Sequence, residues 1–224
     1  MATGVPLCLL GGSVLFPRAH DEREAPAGAT RRVRAAVLLG ALISFSIQSP
    51  AVRAQSAKDA EYRAKAIFLS KFPSFVEWPE EAFPPGQAPF LVCVYGDFSF
   101  GVSLVENARG ETVHGRRLEV KWMHKEKDLR ACQILFVSRS EAKHYRQVLD
   151  AVQGLSVLTV GETPDFLTAG GGISFLVQQD SLQFEVNLDS TSEAHLKLSS
   201  RMLALARRVV NKAAELKKAA EVKN

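Results

Sequence analysis

The chain has 224 residues, 46% of them apolar and 23% charged, with a formal net charge of +4. This balance suits one globular domain with an appendage, and it excludes a disordered, collagenous or disulfide-dense chain. Much of the basic excess lies in the first 54 residues. Without them 22 Lys and Arg face 21 Asp and Glu, which gives no reason to expect nucleic acid as a partner.

Those first residues have the order of a secretory signal. A basic "RRVR" (31–34) is followed by the apolar run "AAVLLGALISFSI" (35–47), then by "QSP" and the small-residue exit "AVRAQ", with Val52 and Ala54 placed as before a signal-peptidase cut. The apolar run has 13 residues, well short of the roughly 20 that span a bilayer. The expectation is a leader over 1–54, cleaved near Ala54, and a periplasmic mature protein. Residues 1–30 are long for the segment that precedes such a run and fit a start codon assigned upstream of the true one. Cys8 falls in the leader without the context of a lipidated cysteine, which leaves Cys93 and Cys132. In an oxidising compartment the two can close a disulfide; otherwise two buried thiols are the default.

In the mature chain the first element is a helix from Ala57 to about Phe75, with Phe68, Phe72 and Phe75 at helical spacing and a stop at Trp78-Pro79. "FLVCVYG" (90–96) is a continuous apolar run, as in a strand covered on both faces. "DFSFGVSLVENARG" (97–110) reads as a turn into a short helix with Phe100, Leu104 and Val105 inward. "RLEVKWMH" (117–124) alternates like a half-exposed strand, and "CQILFVS" (132–138) is a second buried one. Ser138 and Glu141 match a capping box for a helix over 139–153. "LSVLTVG" (155–161) is a third buried strand, "ETPDFLTAGGG" a short glycine-stopped helix, and "ISFLV" with "LQFEVN" a β-hairpin. From Asp189 onward Leu198, Met202, Leu205, Val209 and Leu216 recur at helical spacing, which predicts one long C-terminal helix. The fold class expected is α/β: a single domain, mainly parallel sheet flanked by helices, closed by an antiparallel hairpin and that helix. Its bounds are 55–212, followed by a charged helical tail over 213–224.

Motifs for catalysis are missing. There is no phosphate-binding G-x-x-x-x-G-K-[ST], no G-x-G-x-x-G, no H-E-x-x-H, no C-x-x-C and no G-x-S-x-G. Ser140-Glu-Ala-Lys143 matches an S-x-x-K pattern without the partner motifs of that chemistry. His114, His124, His144 and His195 lie singly, without ligand spacing. Glu185 and Asp189 at the hairpin exit are expected to be solvated. The reading is a protein without catalytic residues, cofactor or metal.

The helix "EYRAKAIFLSKFPSFVEWP" resembles the start of the YfiR-like periplasmic family, in which an aromatic helix ends in a Phe-Val-Glu-Trp-Pro type motif. The similarity continues through "LVCVYGDFSFGVSL", "CQILFVS", "VLTVGETPDFLTAGGGISFLVQQDSLQFEVN" and "LKLSSRMLALA". The resemblance implies an exported α/β domain, often a homodimer, without known catalysis. It implies a partner too: the periplasmic domain of an inner-membrane signalling protein such as a diguanylate cyclase, held inactive and linked to cyclic-di-GMP and biofilm growth. Family members can carry a cysteine pair at the strands matching Cys93 and Cys132; a second pair is absent here, which favours a structural bridge. The candidate partner surface is Trp78 and Phe83 together with a basic helix face of Arg207, Arg208 and Lys212. The alternative is a periplasmic receptor for a small molecule, with its crevice at the strand carboxyl ends, serving a transporter or sensor kinase.

Overall fold

The computed structural model describes residues 50–97, 101–179 and 181–213, all within the compact unit Ser49–Asn224. The expected leader lies outside the described residues as far as residue 49, as do Phe100 and the tail beyond Ala213. Helix α1 runs Pro50–Lys71, so the backbone around Ala54 is helical. Proline suits a first helical turn, where its missing N–H has no partner to lose, and the alanine-rich sequence after it propagates well. Residues 55–60 are exposed all round. The helix then gains a buried side, with Tyr62, Ala66, Leu69 and Phe72 on the core. Pro73 tightens the next turn, Phe72–Phe75, into a 3₁₀ helix.

Among the described residues ten strands follow the helix start. β1 (Val76–Glu77) stands apart from the main sheet and pairs antiparallel with β9 (Lys197–Leu198). The remaining strands are β2 (Phe90–Tyr95), β3 (Thr112–Val113), β4 (Arg116–Met123), β5 (Ile134–Val137), β6 (Leu158–Gly161), β7 (Ile173–Gln178), β8 (Ser181–Asn187) and β10 (Arg208–Val210). They form one sheet in the order β10-β8-β7-β6-β5-β2-β4-β3. Strands β4, β2, β5, β6 and β7 run parallel, while β7 and β8 form the expected antiparallel hairpin.

Alternation along the strands builds two cores. Phe90, Val92, Val94, Ile134, Phe136, Leu158 and Val160 face α1, joined by Leu104 from α2 (Gly101–Ala108). Leu91, Cys93, Leu135 and Val137 face the other way, toward Tyr145 and Val148 of α3 (Tyr145–Asp150) and Phe166 of α4 (Pro164–Thr168). Two faces covered by helices explain why these strands read as unbroken apolar runs.

Two expectations need correction. The helix predicted over 139–153 begins as a 3₁₀ segment, Arg139–His144, and becomes α-helical only at α3. Ser138 Oγ accepts the N–H of Ser140, and the Glu141 carboxylate turns to Ser140 Oγ and His144, so no reciprocal capping box forms. The long C-terminal helix is replaced over 188–210 by four short elements. α5 (Leu188–Glu193) stops where His195 takes φ +57° and the N–H of Leu196 returns to the Thr191 carbonyl. Strand β9 follows. Ser199 then caps α6 (Ser200–Leu205) by accepting the Met202 N–H, and Ala206 is extended, leading into β10 parallel to β8. The spacing of Leu198, Met202, Leu205 and Val209 therefore spans three elements. Met202 is buried, whereas Leu205 is 67% exposed.

Candidate functional site

Taken in chain order, the five parallel strands β2, β4, β5, β6 and β7 lie in the sheet as second, first, third, fourth and fifth. The order reverses between β2 and β5, so connections leave those two strands in opposite directions and open a crevice beyond their carboxyl ends. Gly96 and Asp97 leave β2 there, Ser138 to Ser140 leave β5, and Glu162 leaves β6. At Gly96, φ is +103°, and a Cβ would lie 2.7 Å from Ser140 Oγ. Only glycine lets the two loops meet so closely. A cleft of about 360 Å³ lies alongside, lined by Tyr95, Gly96, Asp97, Met123, His124, Ser140 and Glu141.

Behind the cleft is a buried charge cluster. Lys65 on α1 is 1% exposed and Glu162 is fully buried. Lys65 Nζ donates to both Glu61 and Glu162. The second Glu162 oxygen accepts the Arg139 N–H at 2.7 Å, and the Arg139 guanidinium reaches Glu61 at 2.9 Å and Glu162 at 3.3 Å. Burial works against the Arg139 charge, but the Glu162 carboxylate outweighs it by attraction and hydrogen bond and holds the guanidinium above its ordinary value. Burial, then the Glu162 charge, raise the Tyr62 phenol. Each carboxylate here already has cationic partners, so the cluster fixes α1 to the end of β6 and leaves no free general base.

The sequence did not single out Glu61, Lys65, Arg139 or Glu162. Lys65 and Glu162 are 97 residues apart; the one local signal is an acid directly after the buried run of β6. Ser140 Oγ accepts the N–H of Asp97 and donates to Ser138 or Glu141, rather than meeting Lys143 as a nucleophile would meet its base. Among the described residues no three His, Cys, Asp or Glu groups are placed to hold a metal ion.

Cys93 and Cys132 form a disulfide, Cα atoms 5.8 Å apart, that ties β2 to the segment entering β5. The other predicted site residues separate into two places. Trp78 is partly buried with its ring edge-on to Phe90 at 4.9 Å, and its indole N–H has no protein acceptor. Phe83 packs on Phe90 at 6.1 Å under the Arg116 guanidinium. Arg207 and Arg208 instead lie beside β8, four strands from β2. Both meet Glu185, Arg207 at 3.1 Å, and the Glu185 hydrogen bond and charge raise the Arg208 value. Glu185 is 5% exposed, so the expectation of a solvated carboxylate is overturned: Arg208 of β10 and Arg207 just before it bring two cations to it. Lys212 is tied through its backbone N–H to Asp189 at 2.8 Å.

A family model described as YfiR/HmsC-like (DUF4154) matches residues 62–207. The chain belongs to the YfiR/HmsC-like family. No curated protein sequence matches it. Among solved structures, the ABC domain in complex with L-Trp from Streptococcus pneumonia is similar, with 10% identity and a TM-score of 0.46 over 67% of this chain and 60% of that one. A conserved domain protein from Vibrio cholerae O1 biovar El Tor is also similar, with 12% identity and a TM-score of 0.39 over 58% and 57%. The chain thus spans about 60% of the first structure's length. The YfiR/HmsC-like family is periplasmic and regulatory rather than catalytic. No described helix is long and apolar enough to cross a membrane.

Proposed function

We propose that this YfiR/HmsC-like protein is exported, loses its leader near Ala54, and acts without catalysis by docking on the periplasmic domain of an inner-membrane signalling protein, a diguanylate cyclase, and lowering its output. The observation that carries this reading is the family match over 62–207. The ion pairing of every carboxylate in the buried cluster supports a binding role over acid-base chemistry. A tagged mature protein should recover a membrane cyclase from solubilised membranes, and deleting its gene should raise cellular cyclic-di-GMP. Unchanged cyclic-di-GMP together with no recovered cyclase would overturn it. Export has its own test: N-terminal sequencing of periplasmic material should begin near Gln55.

The docking surface in this reading includes Trp78, Phe83, Arg207, Arg208 and Lys212. Reversing Arg207 or Arg208 would place a carboxylate against buried Glu185 and lower stability, so Lys212→Glu is the clean probe of steering, because the bond Lys212 makes to Asp189 is through its backbone N–H, which a side-chain change leaves in place. It should weaken cyclase recovery in low salt with little change in Tm.

The cleft at the reversal point favours a second reading, a receptor for a small molecule. A neighbouring cyclase gene supports the first reading, and a neighbouring transporter or histidine kinase gene the second.

A further inference from the structure

Where α1 and α6 lie side by side, two aliphatic side chains stand in solvent. Ile67 of α1 is 50% exposed and Leu205 of α6 is 67% exposed. Between them opens a notch of about 150 Å³ whose exposed lining is wholly apolar. Its floor is Phe68, Phe72, Phe184 and Met202. Phe72 meets Phe184 at 5.5 Å and Phe68 at 6.1 Å, so rings braced against one another shape that floor, and an entering side chain would meet a preformed surface. The notch is small beside the roughly 300 Å³ and more of a small-molecule site. It holds one large side chain, which is what an interface anchor needs. The long wall is α1, whose backbone groups are engaged within the helix, so the occupant is met by side chains and gains nothing from being a strand.

Charge at the rim narrows the choice. Arg63 and Lys71 lie one turn to either side of Ile67 on α1, Arg201 lies one turn before Leu205 on α6, and all three are exposed. Lys71 meets Glu111 at 3.0 Å on the surface; Arg63 and Arg201 make no ion pair among the described residues. A second copy of this rim would bring cation against cation. The chain ends outside the described residues are also basic, with five arginines against three acids before residue 50 and three lysines against two glutamates after residue 213. Neither is complementary. A helix lying along α1 is complementary when it carries acids. Arg63 and Lys71 are eight residues apart, about 12 Å along the axis, and acids four residues before and after a central apolar residue have that same spacing.

We infer that the notch between α1 and α6 is an anchor site for a protein partner, which presents an amphipathic helix with one large apolar side chain in the notch and carboxylates one turn to either side, facing Arg63 and Lys71. This rests on the regulatory reading for the partner's being a protein, and it adds a contact that reading does not include.

A peptide of defined sequence tests the site without a cyclase. The probe is an alanine-rich helix of about 15 residues, with a central leucine and a glutamate four residues to each side, titrated into the mature protein and followed by amide and methyl chemical shifts, which register millimolar binding. Shifts should centre on Ile67, Met202 and Leu205. Replacing both glutamates by lysine should weaken binding at least about fivefold, as should Leu205→Glu in the protein. Arg63→Glu with Lys71→Glu should invert the preference, so that the lysine peptide binds better. Should Leu205→Glu fail to fold, Ile67→Ala removes the other wall. Equal binding of the two peptides, binding of neither, or an unchanged preference in the charge-reversed variant would overturn the inference. So would phosphatidylglycerol vesicles that bind wild type and not Leu205→Glu while the glutamate peptide fails to bind, since the patch would then meet lipid. All of these leave the regulatory reading standing, whereas peptide binding as expected with no cyclase recovered would remove the cyclase and keep the anchor site.

Discussion

The two faces of the sheet are held by different means. Under α1 the core is aromatic: Phe68 and Phe72 meet Phe175 and Phe184 at ring separations of 5.5 to 6.0 Å, and one buried lysine pins the helix to the sheet. On the opposite face the helices are shorter, α3 with six residues and α4 with five, and the disulfide lies among their contacts. A long helix can secure itself by buried area and one directional polar anchor. Short helices bury less and rely on a covalent tie between the strands beneath them.

The largest expected effect comes from breaking the polar anchor. Glu162→Gln keeps an acceptor for the Arg139 N–H but leaves Lys65 buried with Glu61 alone. It should cost about 3 kcal/mol in urea unfolding, toward the low end for a broken buried pair. Lys65→Met combined with Glu162→Gln should recover much of that loss, because no unpaired charge stays buried. A double variant as unstable as the single would show that the cluster acts by packing alone.

The second prediction addresses the other face. Cys93→Ser with Cys132→Ser opens a loop of separation 39, which should cost about 2 to 4 kcal/mol if the native state is unstrained. The loss should appear as faster hydrogen exchange in β2, β5 and α3, with α1 less affected. Uniform acceleration would mean that the two faces are not held separately.

How much of this contrast was legible in the sequence depended on how local the signal was. β2, β5 and β6 announced themselves as continuous apolar runs between glycine and polar breaks, because each needs only its own residues to show burial on both sides. The β7–β8 hairpin was equally plain. The C-terminal helix misled because the helical spacing of four apolar residues runs across three short elements, and of the four only Met202 is buried while Leu205 and Val209 are exposed. The break falls at His195, a non-glycine residue at positive φ, with no glycine or proline to mark it. The candidate site was least visible. Its cations and carboxylates come from α1, the end of β5 and the end of β6, and Lys65 reads like any solvated charge on an amphipathic helix until the fold brings Glu162 to it.

The smallest expected effect compares one tyrosine from each face. Tyr62 packs in the aromatic core and Tyr145 in the disulfide-linked one, and burial raises both phenols above the ordinary 10.0. The folded state therefore favours the neutral phenol, while the unfolded chain loses its proton near 10.0. The resulting stability is present below that pH and is lost as pH rises through the folded values. The faces differ in what accompanies burial. At Tyr62 the next contribution is the Glu162 charge, which raises it further; at Tyr145 the next is a hydrogen bond from Thr163 Oγ1, which favours the phenolate and lowers it. Urea midpoints measured from about pH 8 to about pH 11 should fall at the alkaline end. Tyr62→Phe should flatten that fall more than Tyr145→Phe, and Glu162→Gln should reduce the difference between them. Equal slopes for the two phenylalanine variants would remove the Glu162 charge from the account and leave burial as the shared cause.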